Sequence, residues 1–172
     1  TMAALIIPRP TSKNEFYIFT TSIACHGDGL QYSLVDMRRE GGNGDVVQPR
    51  NVILEERVSE KVLAVRHQNV TDIWVISHKC DSHEYIAYQV TSDSVIANPV
   101  VSYGNEKVTY LEDGEGYMAA SKDTKTIANS LHYSGKIEIM NFNNNTGEMT
   151  YKYTLKDDDF LKDLENTLKS ME

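Results

Sequence analysis

The segment from His78 to His83 has the spacing H-x-C-x-x-H, which places two imidazoles and one thiol within six residues. Imidazole nitrogen and thiolate sulfur are ligands of Zn²⁺ and other soft or borderline divalent metals. A structural zinc site takes four ligands at recurrent spacings, so His78, Cys80 and His83 would need a fourth from a distant part of the chain. They are therefore weak candidate metal ligands, and we predict neither a metal nor a cofactor. In the alternative interpretation they are polar loop residues, with His78 hydrogen-bonded at the end of a strand.

The chain has two cysteines, Cys25 and Cys80. A disulfide between them requires Cα atoms within about 7 Å of each other, and an exported protein is where such a bond persists. The two lie in comparable loops of neighbouring structural units, and such loops diverge outward. The default prediction is two free thiols, and the alternative is a Cys25–Cys80 disulfide.

Sequence motifs of common catalytic sites are absent. The chain has no G-x-S-x-G elbow, no phosphate-binding P-loop and no H-E-x-x-H pair. Acidic runs such as 112–115 and 157–159 do not by themselves make a paired-carboxylate site, which needs a fixed separation inside a cleft. We therefore predict no catalytic residues.

The same order of four short strands occurs three times along the chain. Alternation of apolar and polar residues, with many aromatic and β-branched side chains, predicts each strand. The first copy has strands at 3–8, 14–21, 30–37 and 50–56, the second at 61–67, 71–78, 84–91 and 98–104, and the third at 116–121, 125–132, 136–143 and 148–155. Tyr17, Trp74 and Ile127 then occupy equivalent positions, 57 and 53 residues apart. Repeats of this length are typical of units built from one small sheet.

A four-stranded antiparallel unit repeated in this way is the plan of a β-propeller blade. The sequence thus predicts an all-β fold of three blades at about 3–56, 61–104 and 116–155, within a segment spanning 1–155. In the strand 71–78 both faces are mostly apolar, which indicates that it is covered on both sides. Propellers typically close with four to eight blades. Three blades are either part of a longer propeller, half of a six-bladed ring of two copies, or an open row protected by something else.

The blade plan places the loops between second and third strands at one end of the fold, together with the connections between blades. Candidate ligand-binding residues at this loop end are His26, His78, His83, His132, Glu112 and Asp113. A propeller-type hydrolase or lyase would require these histidines and acids to converge around a cavity. A binding module would instead present them to a protein or glycan partner.

Residues 156–172 have a different pattern from the strands. An Asp-rich start is followed by apolar residues on one helical face, which predicts a short amphipathic C-terminal helix or an inter-blade connection. The helix is expected either to pack on the last blade or to form a dimer contact. In the second case the chain would be an intracellular assembly protein that oligomerises to close the propeller.

The segments GLQYSLVDM, GGNGDV, RNVILEE, SEKVLAVRHQNVTDIWVISH and YIAYQVTSDSVIANPVVS resemble the WD40-like β-propeller segment of bacterial cell-surface and secreted proteins, including gliding-motility-associated ones. The resemblance covers about residues 3–155 and is most specific in AVRHQNVTDIWVISH. It implies a non-catalytic binding or scaffolding module, at the cell surface or outside the cell, within a larger propeller. One departure is the turn 121–124, which reads Ser-Lys-Asp-Thr where the family often has Ser-Pro-Asp-Gly.

Charge and hydropathy exclude two classes of partner. The net charge is −8 and the Lys and Arg residues are scattered singly, whereas binding to nucleic acid needs clustered cations. No apolar run approaches the roughly 20 residues that cross a bilayer, so no membrane span is expected. The expected partners are a protein or glycan, a second copy in a homodimer, or the remaining blades of a longer chain.

Overall fold

A computed structural model describes residues 4–109 and 113–156 of the chain. Within these ranges the chain forms three four-stranded antiparallel sheets and two short 3₁₀ turns, Ile23–Cys25 and Glu40–Gly42. Sheet A consists of β1 (Ala4–Pro8), β2 (Glu15–Thr20), β3 (Leu30–Asp36) and β4 (Asp45–Glu55). Sheet B consists of β5 (Val58–Arg66), β6 (Ile73–Lys79), β7 (Ser82–Val90) and β8 (Val100–Val108). Sheet C consists of β9 (Met118–Ala120), β10 (Thr126–Leu131), β11 (Lys136–Phe142) and β12 (Met149–Lys156).

The all-β prediction with three units of four antiparallel strands is confirmed. In each sheet the strands pair in chain order, so each unit is a simple meander. The largest difference is β4, which begins at Asp45 rather than at residue 50 because its first part pairs with the end of β3 across irregular register. The predicted C-terminal helix at 156–172 lies outside the described residues, except that Lys156 ends β12.

Sheet B is covered on both faces, as the apolar pattern of its strands predicts. Val75, Ile86 and Tyr88 point toward sheet A and form one buried core with Tyr17 and Phe19. The alternate residues of the same strands point toward sheet C and form a second core with residues of β10 to β12; they include Trp74, Ile76, Tyr85 and Ala87. The first strands of the three sheets, β1, β5 and β9, contact one another in sequence.

The third repeat is aligned one residue away from the predicted position. Tyr17 and Trp74 both face the sheet that follows in the chain, whereas Ile127 faces the preceding sheet B. Because side chains alternate along a strand, a shift of one residue moves a side chain to the opposite face. Among the described residues no helix is both long enough and apolar enough to span a membrane.

Candidate functional site

The connections β2–β3, β6–β7 and β10–β11 lie at one end of the stacked sheets, together with the two connections between sheets. We call this the loop end; it comprises residues 21–29, 56–57, 80–81, 113–117 and 132–135. Of the six predicted ligand-binding residues, His26, His83 and His132 are exposed, whereas His78 and Asp113 are buried. Glu112 lies outside the described residues.

The default prediction of two free thiols is wrong, because Cys25 and Cys80 form a disulfide with Cα atoms 5.8 Å apart. The physical reason is the 3₁₀ turn Ile23–Cys25, which folds the β2–β3 connection against β5 instead of letting it diverge outward. Cys80 follows β6 directly, so the disulfide joins sheet A to sheet B. Both cysteines are buried.

The disulfide also removes the thiolate from the weak H-x-C-x-x-H candidate. His78 is buried and its Nδ1 lies 2.8 Å from the carbonyl of Lys79, so it donates to that carbonyl, while His83 is exposed. In the part of the chain that the structure describes, no three His, Cys, Asp or Glu side chains are grouped to hold a metal ion.

A lysine lies inside the interface between sheets B and C. Lys61, on β5, is fully buried, and its ammonium group donates hydrogen bonds to the carbonyls of Asp113 and Ser130, each at 2.8 Å. Burial lowers the pKa of Lys61 to about 8, while the nearby charges of Asp113 and Glu138 oppose that shift. A buried ammonium needs such partners because its desolvation is costly. Lys61 thus connects sheet B to β10 and to the connection that precedes β9.

A carboxylate faces the same interface from sheet C. Glu138, on β11, is fully buried, and its Oε2 accepts a hydrogen bond from the Tyr85 hydroxyl at 2.6 Å. Its Oε1 accepts the backbone N–H groups of Asn105 and Glu106 on β8. Asn129 on β10 donates to the Tyr85 hydroxyl at 2.8 Å. Burial raises the pKa of Tyr85 well above its ordinary value, so this hydroxyl stays protonated and donates to Glu138.

His78 completes this group, which we call the B–C polar network: Lys61, His78, Tyr85, Asn129 and Glu138. The imidazole packs edge-on against the Tyr85 ring, with centroids 4.4 Å apart, and burial lowers the pKa of His78 to about 3. The side chain is therefore neutral at pH 7, with the proton on Nδ1 and a lone pair on Nε2. His78 Nε2 and Asn129 Oδ1 are buried without a hydrogen-bond partner among the described residues.

The B–C polar network has mainly a structural role, which is to hold sheets B and C together. All five side chains are almost completely buried, and the charges of Lys61 and Glu138 are enclosed by donors and acceptors from both sheets. A lysine with a lowered pKa beside a neutral histidine can exchange protons with a substrate only if the substrate reaches them. The arrangement is that of an internal ionic and hydrogen-bonded contact, which fixes how sheet C sits on sheet B.

Acid is expected to destabilise the fold through His78. An unfolded histidine has a pKa near 6.5, and the folded value is about 3, so the unfolded chain binds more protons between these pH values. The stabilising contribution is complete above pH 6.5 and falls by up to about 1.4 kcal/mol per pH unit as the pH drops toward 3. Urea unfolding at several pH values should show a shallower pH slope for His78→Gln. The exposed-histidine control His132→Gln should keep the wild-type slope, and equal slopes in all three proteins would contradict the assignment.

Four members of the network were not among the predicted site residues: Lys61, Tyr85, Asn129 and Glu138. A signal for two of them is present in the sequence. Lys61 shares its strand face with Leu63 and Val65, and Glu138 shares its face with Met140, so both charges stand at positions that point into the core. Charged residues at inward positions of two strands indicate buried charges that need polar partners, although the sequence does not show which groups those partners are.

Exposed aromatic rings lie at the loop end, next to the interface between sheets B and C. Tyr117 is 58% exposed and Tyr133 is 71% exposed, and the ring of Tyr133 stands edge-on to His132 at 5.7 Å. Ser134, in the same turn as Tyr133, donates from its backbone N–H and its hydroxyl to the carboxylate of Asp113. The buried Asp113 thus ties the turn 132–135 to the connection that carries Tyr117, and the aromatic residues stand on a well-supported backbone.

Comparisons with known proteins give no family assignment. No protein-family model matches the chain, and no curated protein matches it. A solved structure of a candidate 6-phosphogluconolactonase from Bacteroides uniformis aligns with a TM-score of 0.45 and 10% sequence identity, covering 88% of this chain and 56% of that one. A functionally unknown protein from Desulfotomaculum acetoxidans aligns with a TM-score of 0.31 and 9% identity, covering 89% of this chain and 69% of that one. The chain therefore spans little more than half of the first structure, and similarity at this level assigns neither a family nor an activity.

Proposed function

We propose that this chain is a non-catalytic binding module of the β-propeller type, which holds a glycan partner against its loop end. The observation that carries the proposal is the pair of exposed tyrosines, Tyr117 and Tyr133, on a loop end fixed from below by Asp113 and the B–C polar network. Large exposed aromatic side chains on a stiff scaffold are typical of binding surfaces, because little conformational entropy is lost when a partner is bound.

The composition around the two tyrosines favours a glycan over a protein as the partner. The exposed imidazole of His132 stands beside the Tyr133 ring, and Ser134, whose hydroxyl donates to Asp113, is exposed in the same turn, so polar groups flank the ring on both sides along the chain. A sugar ring offers an apolar C–H face to stack on an aromatic ring and hydroxyl groups at its edge for such polar groups. A protein interface centre is instead depleted of charge over a continuous apolar area.

Binding to a glycan array tests this proposal. The wild-type chain and Tyr103→Ser are expected to bind the same glycans, and the double variant Tyr117→Ser/Tyr133→Ser is expected to bind them at least about tenfold more weakly, since stacking on an aromatic ring contributes of the order of 1 kcal/mol per ring. Tyr103 is the matched control, because it is 65% exposed but lies on the edge strand β8. Equal binding by all three proteins would contradict a loop-end site, and binding to no glycan would favour a protein partner.

We infer that the three sheets are blades of a propeller. Three successive four-stranded meanders stack face to face with their first strands adjacent, which is the arrangement of propeller blades. The outward faces of sheets A and C carry exposed apolar residues, which favours the presence of further sheets packed against them. Ile6 on sheet A is 64% exposed, and Tyr153 and Leu155 on sheet C are each 44% exposed. Apolar residues on these faces would be buried by another blade.

Two kinds of partner could bury these outward faces. One is a second copy of the chain, and the other is further blades of the same polypeptide. Light scattering separates them: a twofold ring of six sheets predicts twice the monomer mass of 19.4 kDa and a return to monomer in Tyr153→Lys. A monomer at all concentrations would exclude the homodimer and leave further blades as the cover. The interpretation as an assembly protein that uses a C-terminal helix rests on residues outside the described part of the chain.

A propeller-type hydrolase or lyase is the second candidate function. The observation in its favour is that Lys61, with a pKa lowered to about 8, lies near the neutral His78 with its free lone pair. Perturbed pKa values cluster at functional sites, but they also occur in structural ion-pair networks. Complete burial of these groups supports the structural role. Turnover by the wild-type chain that is lost in Lys61→Met while the fold persists would favour the enzyme.

An extracellular or cell-surface location is part of the proposal. Disulfides persist in oxidising compartments and are rare in the reducing cytosol, so the Cys25–Cys80 bond supports export. The resemblance to propeller segments of bacterial surface proteins has the same implication. Alkylation of the cysteines in the intact producing cell, before lysis, would show whether the bond forms where the protein resides.

A further inference from the structure

A groove opens at the end of the stack opposite the loop end, between sheets A and B. We call it the turn-end groove; it has a volume of about 370 Å³. One wall is formed by Pro8 at the end of β1 and by the turn that follows it. The other wall is formed by Arg66 at the end of β5, the turn after it, and Ile73 at the start of β6. This volume is within the range of small-molecule sites.

Two residues in the walls of the groove have a strained backbone. Thr11 has φ of 67° and Val70 has φ of 60°, in the left-handed region that β-branched residues rarely adopt. Val70 is 72% exposed, so its burial does not compensate for the strain. Strained residues of this kind persist where the surrounding structure holds them, and they cluster at ligand-binding sites. Here one such residue stands on each of the two turns that face each other across the groove.

The turn that carries Val70 is held by a set of local hydrogen bonds. Asn69 Oδ1 accepts the backbone N–H groups of Thr71 and Asp72, and its Nδ2 donates to the Asp72 carboxylate. The Val70 N–H donates to the carbonyl of His67. These contacts keep the turn in one conformation before any ligand is bound, so the wall of the groove is preorganised.

The two arginines in the groove differ in their partners. Arg9 donates to the carboxylate of Glu15 and to the carbonyl of Ser92, so its charge is already neutralised. The Arg66 side chain is exposed and has no hydrogen bond or ion pair with any residue of the described ranges. Its position on β5 points it toward sheet A, because Ala64, two residues earlier on the same face, packs in the core between sheets A and B. Arg66 is thus the cation available to a ligand.

The lining of the groove combines one unpaired positive charge with apolar side chains, which suits a ligand that has a single negative charge beside an apolar group. One unpaired guanidinium offers a planar fork that fits a carboxylate through two hydrogen bonds. A phosphate dianion would require a second free cation, and Arg9, the other arginine of the groove, is already paired with Glu15. The remaining lining is largely apolar, from the rings of Pro8 and Pro10 and the side chain of Ile73.

We propose that the turn-end groove binds a small organic carboxylate that carries an apolar side chain, with Arg66 paired to the carboxylate. The C-terminal residue of a peptide and a free N-acylated amino acid share this chemistry. The site lies at the opposite end of the molecule from the proposed glycan surface, so either proposal can fail without the other.

Isothermal titration of the full chain tests the site. N-acetyl-L-leucine is expected to bind, and the neutral N-acetyl-L-leucinamide at least about tenfold more weakly, because it lacks the charge that makes the hydrogen bonds to Arg66 strong. An acetylated tripeptide ending in leucine distinguishes the sources: binding as tight as that of the single residue, or tighter, indicates a peptide C-terminus, and weaker binding indicates a free small acid.

Variants locate the site and control for net charge. Arg66→Gln should weaken binding of N-acetyl-L-leucine at least about tenfold, and Arg66→Lys should weaken it less, because the charge is kept and the fork is lost. Arg50→Gln removes the same charge from an exposed position on β4 and should bind as the wild type does. Unchanged binding in Arg66→Gln, an equal loss in Arg50→Gln, tighter binding of inorganic phosphate than of the acid, or no saturable binding at millimolar acid would each overturn the proposal.

Discussion

Removing the Cys25–Cys80 disulfide is expected to lower the free energy of unfolding by about 4 kcal/mol, because the bond closes a long loop in the unfolded chain. The cysteines are 55 residues apart, and the bond joins sheet A to sheet B at the loop end. The double variant Cys25→Ala/Cys80→Ala and urea unfolding provide the measurement. A loss of this size is a large part of the stability of an ordinary domain.

Reductant supplies the control for this prediction. Wild-type chain in dithiothreitol should unfold at the urea concentration of the double variant, and the double variant should be insensitive to the reagent. Hydrogen exchange should rise first in the 3₁₀ turn Ile23–Cys25 and in the part of β5 that it contacts. Alkylation of two free thiols in the folded, oxidised protein would show that the bond is absent and would contradict the account.

Lys61→Met is expected to destabilise the fold by about 1 to 3 kcal/mol, the cost of leaving buried carbonyl groups without their hydrogen-bond donor. The substitution leaves the buried Glu138 without a nearby cation and deprives the carbonyls of Asp113 and Ser130 of their donor. Methionine has nearly the length of the lysine side chain, so the packing of β5 is largely kept. The measurement is again the free energy of unfolding in urea.

A double-mutant cycle shows how much of the effect comes from the electrostatic attraction between Lys61 and the nearby Glu138. Glu138→Gln keeps an oxygen that accepts from Tyr85, and combined with Lys61→Met it should cost at least about 1 kcal/mol less than the sum of the single variants. Lys125→Met removes an exposed lysine and should change stability by less than about 0.5 kcal/mol. Additive single effects, or a small effect of Lys61→Met, would contradict the importance of the B–C polar network.

The fold was largely predictable from the sequence because alternation along a strand is a local property. The strands of sheet B have apolar residues at both odd and even positions, and the structure accordingly buries both faces. The third repeat was harder, since its alternation is weaker: Asn129 and Glu138 stand at inward positions that normally hold apolar residues. Polar residues at these positions hide the register, so the sequence aligns Ile127 with Tyr17 and Trp74 although Ile127 faces the preceding sheet.

The site was less predictable because its contacts join distant parts of the chain. Glu138 and Tyr85 are 53 positions apart, and their hydrogen bond depends on the close approach of two sheets. Gly104 permits this approach, since a Cβ at that position would stand 2.7 Å from Glu138 Oε2. Likewise, the disulfide depends on a 3₁₀ turn in which Cys25 adopts φ of 69°. A cysteine in the sequence does not predict this left-handed conformation.

The proposal that the loop end is the binding surface is tested most directly by mapping which residues a bound glycan covers. Hydroxyl-radical footprinting of the wild-type chain, with and without a glycan selected on the array, reports the accessibility of individual tyrosines. Tyr117 and Tyr133 are expected to be protected from oxidation by the bound glycan, while the comparably exposed Tyr103 is oxidised as before. Unchanged oxidation of Tyr117 and Tyr133, with protection confined to the turn-end groove or to β8, would contradict the proposal that the loop end is the binding surface.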